Sequence, residues 1–147
     1  MGISKTTDVL REMELFARVD DRQIRAVAMM GEELSFRDGE RLFEQGDEGD
    51  AAYVVISGAV EVIVRVDDGE RSVATLGQGE IFGEIAVLCD RPRTSAIAAK
   101  GSLVVFRLDR PVILNMLREF PDVALQMIRI LGRRLELTTQ RLARAAA

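Results

Sequence analysis

The apolar residues near the start of the chain recur at helical spacing. Between Asp8 and Met30, apolar side chains stand three or four positions apart, which predicts amphipathic helices rather than strands. The pattern is interrupted once, where Asp20 or Asp21 can cap a new helix because a carboxylate accepts hydrogen bonds from the free amides at a helix start. We therefore expect two short N-terminal helices within residues 8–30.

Residues 33–108 form a different region, in which short β-branched and alternating segments follow one another. Turn-forming sequences such as Ser57-Gly58 and Lys100-Gly101-Ser102 separate these segments about every 8 to 12 residues. This rhythm is typical of an antiparallel sheet that closes on itself. We therefore expect a mainly β fold with flanking helices, built around an antiparallel, jelly-roll-like β-roll. The predicted strands cover residues 33–36, 41–44, 53–56, 60–66, 72–76, 95–99 and 103–108.

Helical patterning returns in residues 109–144. Pro111 suits a first helical turn, and Phe120-Pro121 predicts a break between two C-terminal helices. No repeat, low-complexity tract or Pro/Ser-rich linker interrupts the chain, so residues 1–147 are interpreted as a single domain.

The last predicted helix carries a narrow apolar stripe with spacings of four and three residues, similar to a heptad seam. The stripe either packs on the β-roll or joins two copies of the chain in a dimer. Thr138 is its odd member, because a hydroxyl in an apolar seam needs a hydrogen-bond partner. The members of the stripe are Ala124, Ile128, Leu131, Leu135, Thr138 and Leu142.

The composition excludes several classes of chemistry. The 147 residues include no histidine and one cysteine, Cys89, so catalytic triads and most transition-metal sites lack their usual ligands. We expect no catalytic residue, no metal and no cofactor. The formal net charge of −4 provides no general attraction for nucleic acid or anionic lipid. With no signal-peptide pattern and no apolar run of about 20 residues, we expect a cytoplasmic protein without direct DNA binding or membrane insertion.

One segment carries recognisable binding chemistry. Gly83 permits a tight turn, and residues 84–88 can form a short helix whose first amides are free to meet an anion. Arg93, which follows Pro92, can hold two oxygens of a phosphate, and Glu84 can accept a hydrogen bond from a sugar hydroxyl. A ligand with one compact negative charge and a vicinal hydroxyl, such as a nucleoside cyclic monophosphate, fits this set.

The same segment resembles a known family. Residues 82–88 read FGEIAVL and residues 92–97 read PRTSAI, and together they closely resemble the phosphate-binding cassette of the cyclic-nucleotide-binding domain family. Upstream, residues 45–62 are similar to the β-roll signature of that family, and the likeness extends over about residues 15–142. Two motifs in the right order are more specific than a single short pattern.

The resemblance implies roles for individual residues. Glu84 would hold the ribose 2′-hydroxyl, Arg93 would pair with the cyclic phosphate, and backbone amides would complete the cradle. The implied binding residues of the cassette, which we place at 82–97, are Phe82, Gly83, Glu84, Ile85, Ala86, Arg93, Thr94 and Ser95.

Two features imply different bases. Within the family, a hydroxyl residue directly after the phosphate-binding arginine, here Thr94, can reach the guanine amino group, which favours cGMP. Residues 133–139 are similar to the central helix of the bacterial catabolite-activator group, in which paired hydroxyl residues, here Thr138 and Thr139, contact adenine across a dimer. The choice between cAMP and cGMP therefore stays open.

We expect a sensor domain that binds cAMP or cGMP without transforming it and signals by movement of its C-terminal helices. Its expected partners are a second copy, joined through the C-terminal helix, and an effector domain or partner protein outside this chain. The alternative is a structural or dimerisation module that keeps the fold without a nucleotide. In that case Glu84 and Arg93 would simply pair with each other on a surface loop.

Overall fold

A computed structural model describes residues 2–146 of the chain, with side chains from Lys5 onward. Within this range the strands follow two N-terminal helices and precede two C-terminal ones, as the sequence predicts. In chain order the elements are α1 (Gly2–Glu12), a 3₁₀ turn (Glu14–Phe16), α2 (Asp21–Met30), β1 (Glu32–Phe36), β2 (Arg41–Phe43), β3 (Ala51–Val66), β4 (Gly69–Leu76), β5 (Ile81–Phe82), α3 (Glu84–Leu88), β6 (Ala96–Asp109), α4 (Arg110–Glu119) and α5 (Pro121–Ala146).

Two long strands, β3 and β6, organise the sheet. They pair antiparallel along most of their length, from Ala51 opposite Asp109 to Ile63 opposite Ala96. β1 and β2 also pair with β6, while β4 and β5 pair with β3, and each of these pairings is antiparallel. The expected antiparallel β-roll with flanking helices is confirmed.

The predicted division of β3 and β6 into shorter strands is wrong. Ser57-Gly58 lies inside β3, and Lys100-Gly101-Ser102 lies inside β6. The register between the strands shifts at Ser57, which marks a bulge rather than a chain reversal. Gly58 has a φ of +89°, and a Cβ there would lie 2.2 Å from the carbonyl oxygen of Ser102. The glycine therefore lets two strands approach closely while both bend and continue.

The first half of β3 is buried on both faces, because residues 51–56 are each at most 7% exposed. Alternate side chains enter two cores, one inside the roll and one beneath the helices. An uninterrupted apolar run is what such a doubly covered strand requires. The inner core contains Ala51, Tyr53, Val55, Val60, Phe82, Ile97, Ala99, Leu103 and Val105.

The N-terminal helices differ from the prediction only in their limits. α1 begins at Gly2 rather than near Asp8. Asp20, not Asp21, is the N-cap of α2: its carboxylate accepts from the backbone of Gln23, whose side chain accepts in turn from the backbone of Asp20.

The C-terminal helices meet at the predicted break, since Phe120 ends α4 and Pro121 begins α5. One interpretation of the apolar stripe on the last helix was that it packs on the roll. This interpretation is wrong for three residues of the stripe. Ile128, Leu135 and Leu142 are about two-thirds exposed, at 65%, 67% and 66%. The helix instead buries a neighbouring face, formed by Val123, Gln126 and Met127, against the helical core. No helix within residues 2–146 is long and apolar enough to cross a membrane.

Candidate functional site

The predicted cassette begins where β5 meets α3. Gly83 joins them with a φ of +79°, which glycine adopts without steric cost. Gly49, in the loop before β3, lets α3 approach closely, because a Cβ at Gly49 would lie 2.2 Å from the Cβ of Ala86. The same loop holds the other end of the cassette, where the backbone N–H of Arg93 donates to the carbonyl oxygen of Asp47 over 2.7 Å. The backbone that carries Arg93 is therefore fixed from outside the cassette.

Arg93 places a cation in the interior, with a side chain only 2% exposed. Its Nη1 donates to the carbonyl oxygen of Gly83 and its Nη2 to that of Ala51, both over 2.7 Å. Arg93 forms one long ion pair among the described residues, in which its Nη2 lies 3.7 Å from Oδ1 of Asp50. The side chain of Asp50 is itself 66% exposed. Burial lowers the pKa of Arg93, but a guanidinium stays protonated in proteins. The terminal nitrogens of the buried cation therefore donate to backbone carbonyl oxygens, and no carboxylate among the described residues lies within hydrogen-bond distance of them.

One donor of Arg93 is left open. Among the described residues, its Nε is buried and has no hydrogen-bond partner. Buried polar groups are nearly always paired, so an orphaned donor on a buried cation calls for an explanation. An anion that enters the cassette would supply both the missing acceptor and the missing countercharge.

Glu84 is also buried, but it does not pair with Arg93 as the ion-pair interpretation of the sequence supposed. Its Oε1 accepts from Nη1 of Arg134 on α5 over 2.6 Å, and Nη2 of Arg134 donates to the carbonyl oxygen of Ile81 over 2.8 Å. Burial raises the pKa of the Glu84 carboxyl, and the nearby Arg134 partly opposes that rise. The cassette is thus tied directly to the C-terminal helix.

Arg134 is a site residue that the sequence interpretation missed. It stands in the segment 133–139, but only its hydroxyl neighbours were singled out there. Arg134 stands one helical turn before Thr138, on the same face of the helix, and this position could have indicated that it lies near the predicted site. That signal is weak, because α5 carries several other arginines that face solvent.

The cassette residues line one cleft, with a volume of about 160 Å³. All eight predicted cassette residues, from Phe82 to Ser95, contribute to its wall. The wall also contains Ile97, the last residue of the predicted cassette segment, and residues from distant parts of the chain that were not assigned to the site. These distant residues are Phe43, Val62, Leu76 and Arg134.

Thr138 and Thr139 lie outside the wall of this cleft, on the exposed part of α5 beyond Arg134. The hydroxyl of Thr138 donates to the carbonyl oxygen of Arg134 over 2.9 Å. The helix itself therefore supplies the partner that this hydroxyl was expected to need. Within one chain, the two threonines are not brought to the cassette.

The site matches a described protein family. Residues 33–120 fit the model for "Cyclic nucleotide-binding domain", which is more than half of the chain. The curated "CRP-like cAMP-activated global transcriptional regulator" of Mycobacterium tuberculosis is 29% identical over 137 residues, covering 92% of this chain and 61% of the relative. The chain therefore spans less than two thirds of that relative.

Solved structures show the same fold. The catabolite activator protein of Thermus thermophilus superposes with a TM-score of 0.82 at 30% identity, covering 88% of this chain and 62% of the other. The regulatory domain of Toxoplasma gondii protein kinase A, crystallised with cAMP, gives a TM-score of 0.71 at 26% identity, covering 77% and 43%. The names of these two structures describe an activator protein and a regulatory domain.

Proposed function

The chain belongs to the cyclic nucleotide-binding domain family, and we propose that it binds a nucleoside cyclic monophosphate, cAMP or cGMP, in the cassette cleft. The observation that carries this proposal is the buried Arg93 with its open Nε donor. The cyclic phosphate would accept from this nitrogen and from the free amides of Gly83, Ile85 and Ala86 at the start of α3. A compact monoanion completes the charge balance without a metal.

Glu84 supports the sugar half of the proposal. Its carboxylate lines the cleft and uses Oε1 for Arg134, while an ionised carboxylate has about four acceptor positions. A ribose 2′-hydroxyl would donate to one of the remaining positions. Ligands that lack this hydroxyl would leave a buried carboxylate partly unsatisfied, which selects for ribonucleotides.

Signalling would follow from the same contact. Arg134 connects α5 to Glu84 and to β5, so a ligand that engages Glu84 changes the environment of the helix. A ligand shifts a conformational equilibrium only by as much as it prefers one state. We infer that the nucleotide favours one arrangement of α5, and that an effector outside this chain reads the change.

Titration by calorimetry tests the proposal. Nucleotide-stripped protein is expected to release or absorb heat with cAMP or cGMP, and to bind the open-chain 5′-monophosphate of the same base much more weakly, because that ligand carries an extra negative charge and lacks the ring. Hydrogen exchange on the same samples should show altered protection of the segment of α5 around Arg134. No binding of either cyclic nucleotide at millimolar concentration would reject the proposal in favour of a structural module.

The ratio of the affinities for cAMP and cGMP also tests which base the site prefers. Thr94 is exposed and lines the cleft, so its hydroxyl is free to meet a guanine amino group. Preference for cGMP would support that role. A preference for cAMP, the nucleotide that the name of the mycobacterial relative gives as its activator, would favour contacts from the hydroxyl residues of α5.

We further propose that two copies pair through the exposed stripe of α5. Ile128, Leu135 and Leu142 recur every seven residues and are each about two-thirds exposed, a pattern that a parallel coiled coil buries. Leu135→Lys is expected to convert a dimer to a monomer in light scattering, while Leu137→Lys, which changes an exposed leucine off the stripe, leaves the mass unchanged. A monomeric wild type, or equal effects of both changes, would contradict dimerisation through this stripe.

A further inference from the structure

An aromatic ring supports the buried guanidinium of Arg93. The Cζ of Arg93 lies 4.0 Å from the centre of the Phe43 ring, whereas the next ring, Tyr53, is 5.8 Å away. The face of an aromatic ring is the negative end of its quadrupole, and it attracts a cation within about 6 Å. Phe43 stands on β2, fifty positions before Arg93, and it also lines the cassette cleft.

The ring of Phe43 is itself held in place. Its centre lies 5.9 Å from that of Tyr53 and 6.3 Å from that of Phe82. Those two rings stack on each other at 5.3 Å with an interplanar angle of 9°. Contacts between aromatic rings at these separations stabilise the orientation in which the Phe43 ring presents its face to Arg93.

The alternative partner for this cation is a carboxylate at the rim. Asp50 lies 3.7 Å from Nη2 of Arg93, a distance beyond a normal hydrogen bond, and its exposed carboxylate also pairs with Arg107 at 3.2 Å. A tight pair between Arg93 and Asp50 would neutralise the site and occupy an N–H donor. An incoming phosphate would then have to displace a carboxylate before it could bind.

We propose that Phe43 is a positioning residue for anion binding, whose ring face holds the guanidinium of Arg93 beyond hydrogen-bond distance of Asp50 and leaves its Nε without a protein acceptor. A π face stabilises the cation without accepting any of its hydrogen bonds in the guanidinium plane, so the donors stay available. The inference rests on the proposed cyclic-nucleotide function and adds a residue through which the phosphate-binding arginine acts.

The test varies the ring's electrostatics at nearly constant shape. Phenylalanine at position 43 is replaced by its mono-, di- and trifluoro analogues, which progressively remove negative charge from the ring face. We expect the dissociation constant for the tighter of cAMP and cGMP to rise stepwise, by about tenfold at the trifluoro analogue, as expected for a desolvated cation–π contact. Phe43→Leu should weaken binding to a similar degree, and Phe43→Trp should retain it.

The same fluorinated series at Phe36 is the matched control. Phe36 packs, partly buried, on the same inner core of the roll, but it does not line the cleft, and the ring contacts of the Arg93 guanidinium are with Phe43 and Tyr53. Affinity should change little along that series. Suppose that the wild type binds a cyclic nucleotide. If its affinity then stays constant along the position-43 series, or if both series lose affinity to the same extent, the positioning role is wrong while the proposed function stands. If the wild type binds neither nucleotide, the positioning role and the proposed function are both rejected.

Discussion

Arg93→Ala is expected to weaken cyclic-nucleotide binding by about a hundredfold, because it removes both the countercharge of the phosphate and a charge-assisted hydrogen bond worth about 1.5 to 3 kcal/mol. The change also leaves the carbonyl oxygens of Gly83 and Ala51 without their buried donor. Calorimetric titration measures the affinity, and circular dichroism checks that the fold persists.

Two further variants make this result interpretable. Arg93→Lys keeps the charge but loses the planar fork, so its affinity should lie between those of the wild type and Arg93→Ala. Arg91→Ala removes an exposed arginine two positions away and should bind like the wild type. If folded Arg93→Ala protein binds with wild-type affinity, Arg93 does not contact the ligand. If Arg91→Ala loses as much affinity as Arg93→Ala, the effect of Arg93 is one of general charge and not of a specific contact.

Gly83→Ala is expected to lower both stability and affinity. Gly83 has a φ of +79°, and imposing this left-handed conformation on alanine costs about 1 to 2 kcal/mol. The new Cβ would also lie 2.7 Å from Nη1 of Arg93, so the buried guanidinium must shift. We expect a loss of affinity of about tenfold or more, on the scale of one charge-assisted hydrogen bond, measured by titration beside thermal unfolding.

Gly101→Ala separates the two contributions. Gly101 has nearly the same backbone conformation, with a φ of +77°, but a Cβ there would meet nothing within 4 Å. It should therefore lose similar stability and keep full affinity. If both variants lose affinity to the same extent, the effect of Gly83 is general destabilisation and not displacement of Arg93.

The cassette also depends on backbone groups that lie outside its own segment of the chain. The carbonyl oxygens of Asp47, Gly83 and Ala51 accept hydrogen bonds from the backbone and terminal nitrogens of Arg93, and these contacts restrict the motion of its side chain. The guanidinium is thereby organised before the ligand arrives, which reduces the entropy that binding must overcome.

Much of this protein could be predicted from the sequence because the signals are local. The alternation of apolar and polar residues between positions 33 and 108 predicts strands, and helical spacing predicts the flanking helices. Pro121 predicts the break between the two C-terminal helices, α4 and α5. The cassette is contiguous, so one turn glycine, one short helix and one following arginine suffice to indicate an anion site. All eight cassette residues that were predicted line the cleft for this reason.

Other features depended on the tertiary structure. The contact between Glu84 and Arg134 joins residues 50 positions apart, and the contact between Arg93 and Ala51 joins residues 42 positions apart. Such pairs depend on how α5 and β3 pack against the cassette, which no local pattern specifies. Local patterns therefore predicted that Glu84 contacts the ligand, but they indicated neither its protein partner Arg134 nor the ring of Phe43 beside Arg93.

The same limit applies to the long strands and to the last helix. A glycine-containing turn signal is compatible with both a reversal and a bulge, and only the pairing of β3 with β6, whose register shifts at Ser57, shows that it is a bulge. The heptad stripe of α5 specified an apolar surface but not what covers it, because the fold buries the neighbouring face around Met127. Local chemistry in the sequence was enough to predict which residues line the cleft, whereas packing between distant elements decided how those residues are held and which helix face remains exposed.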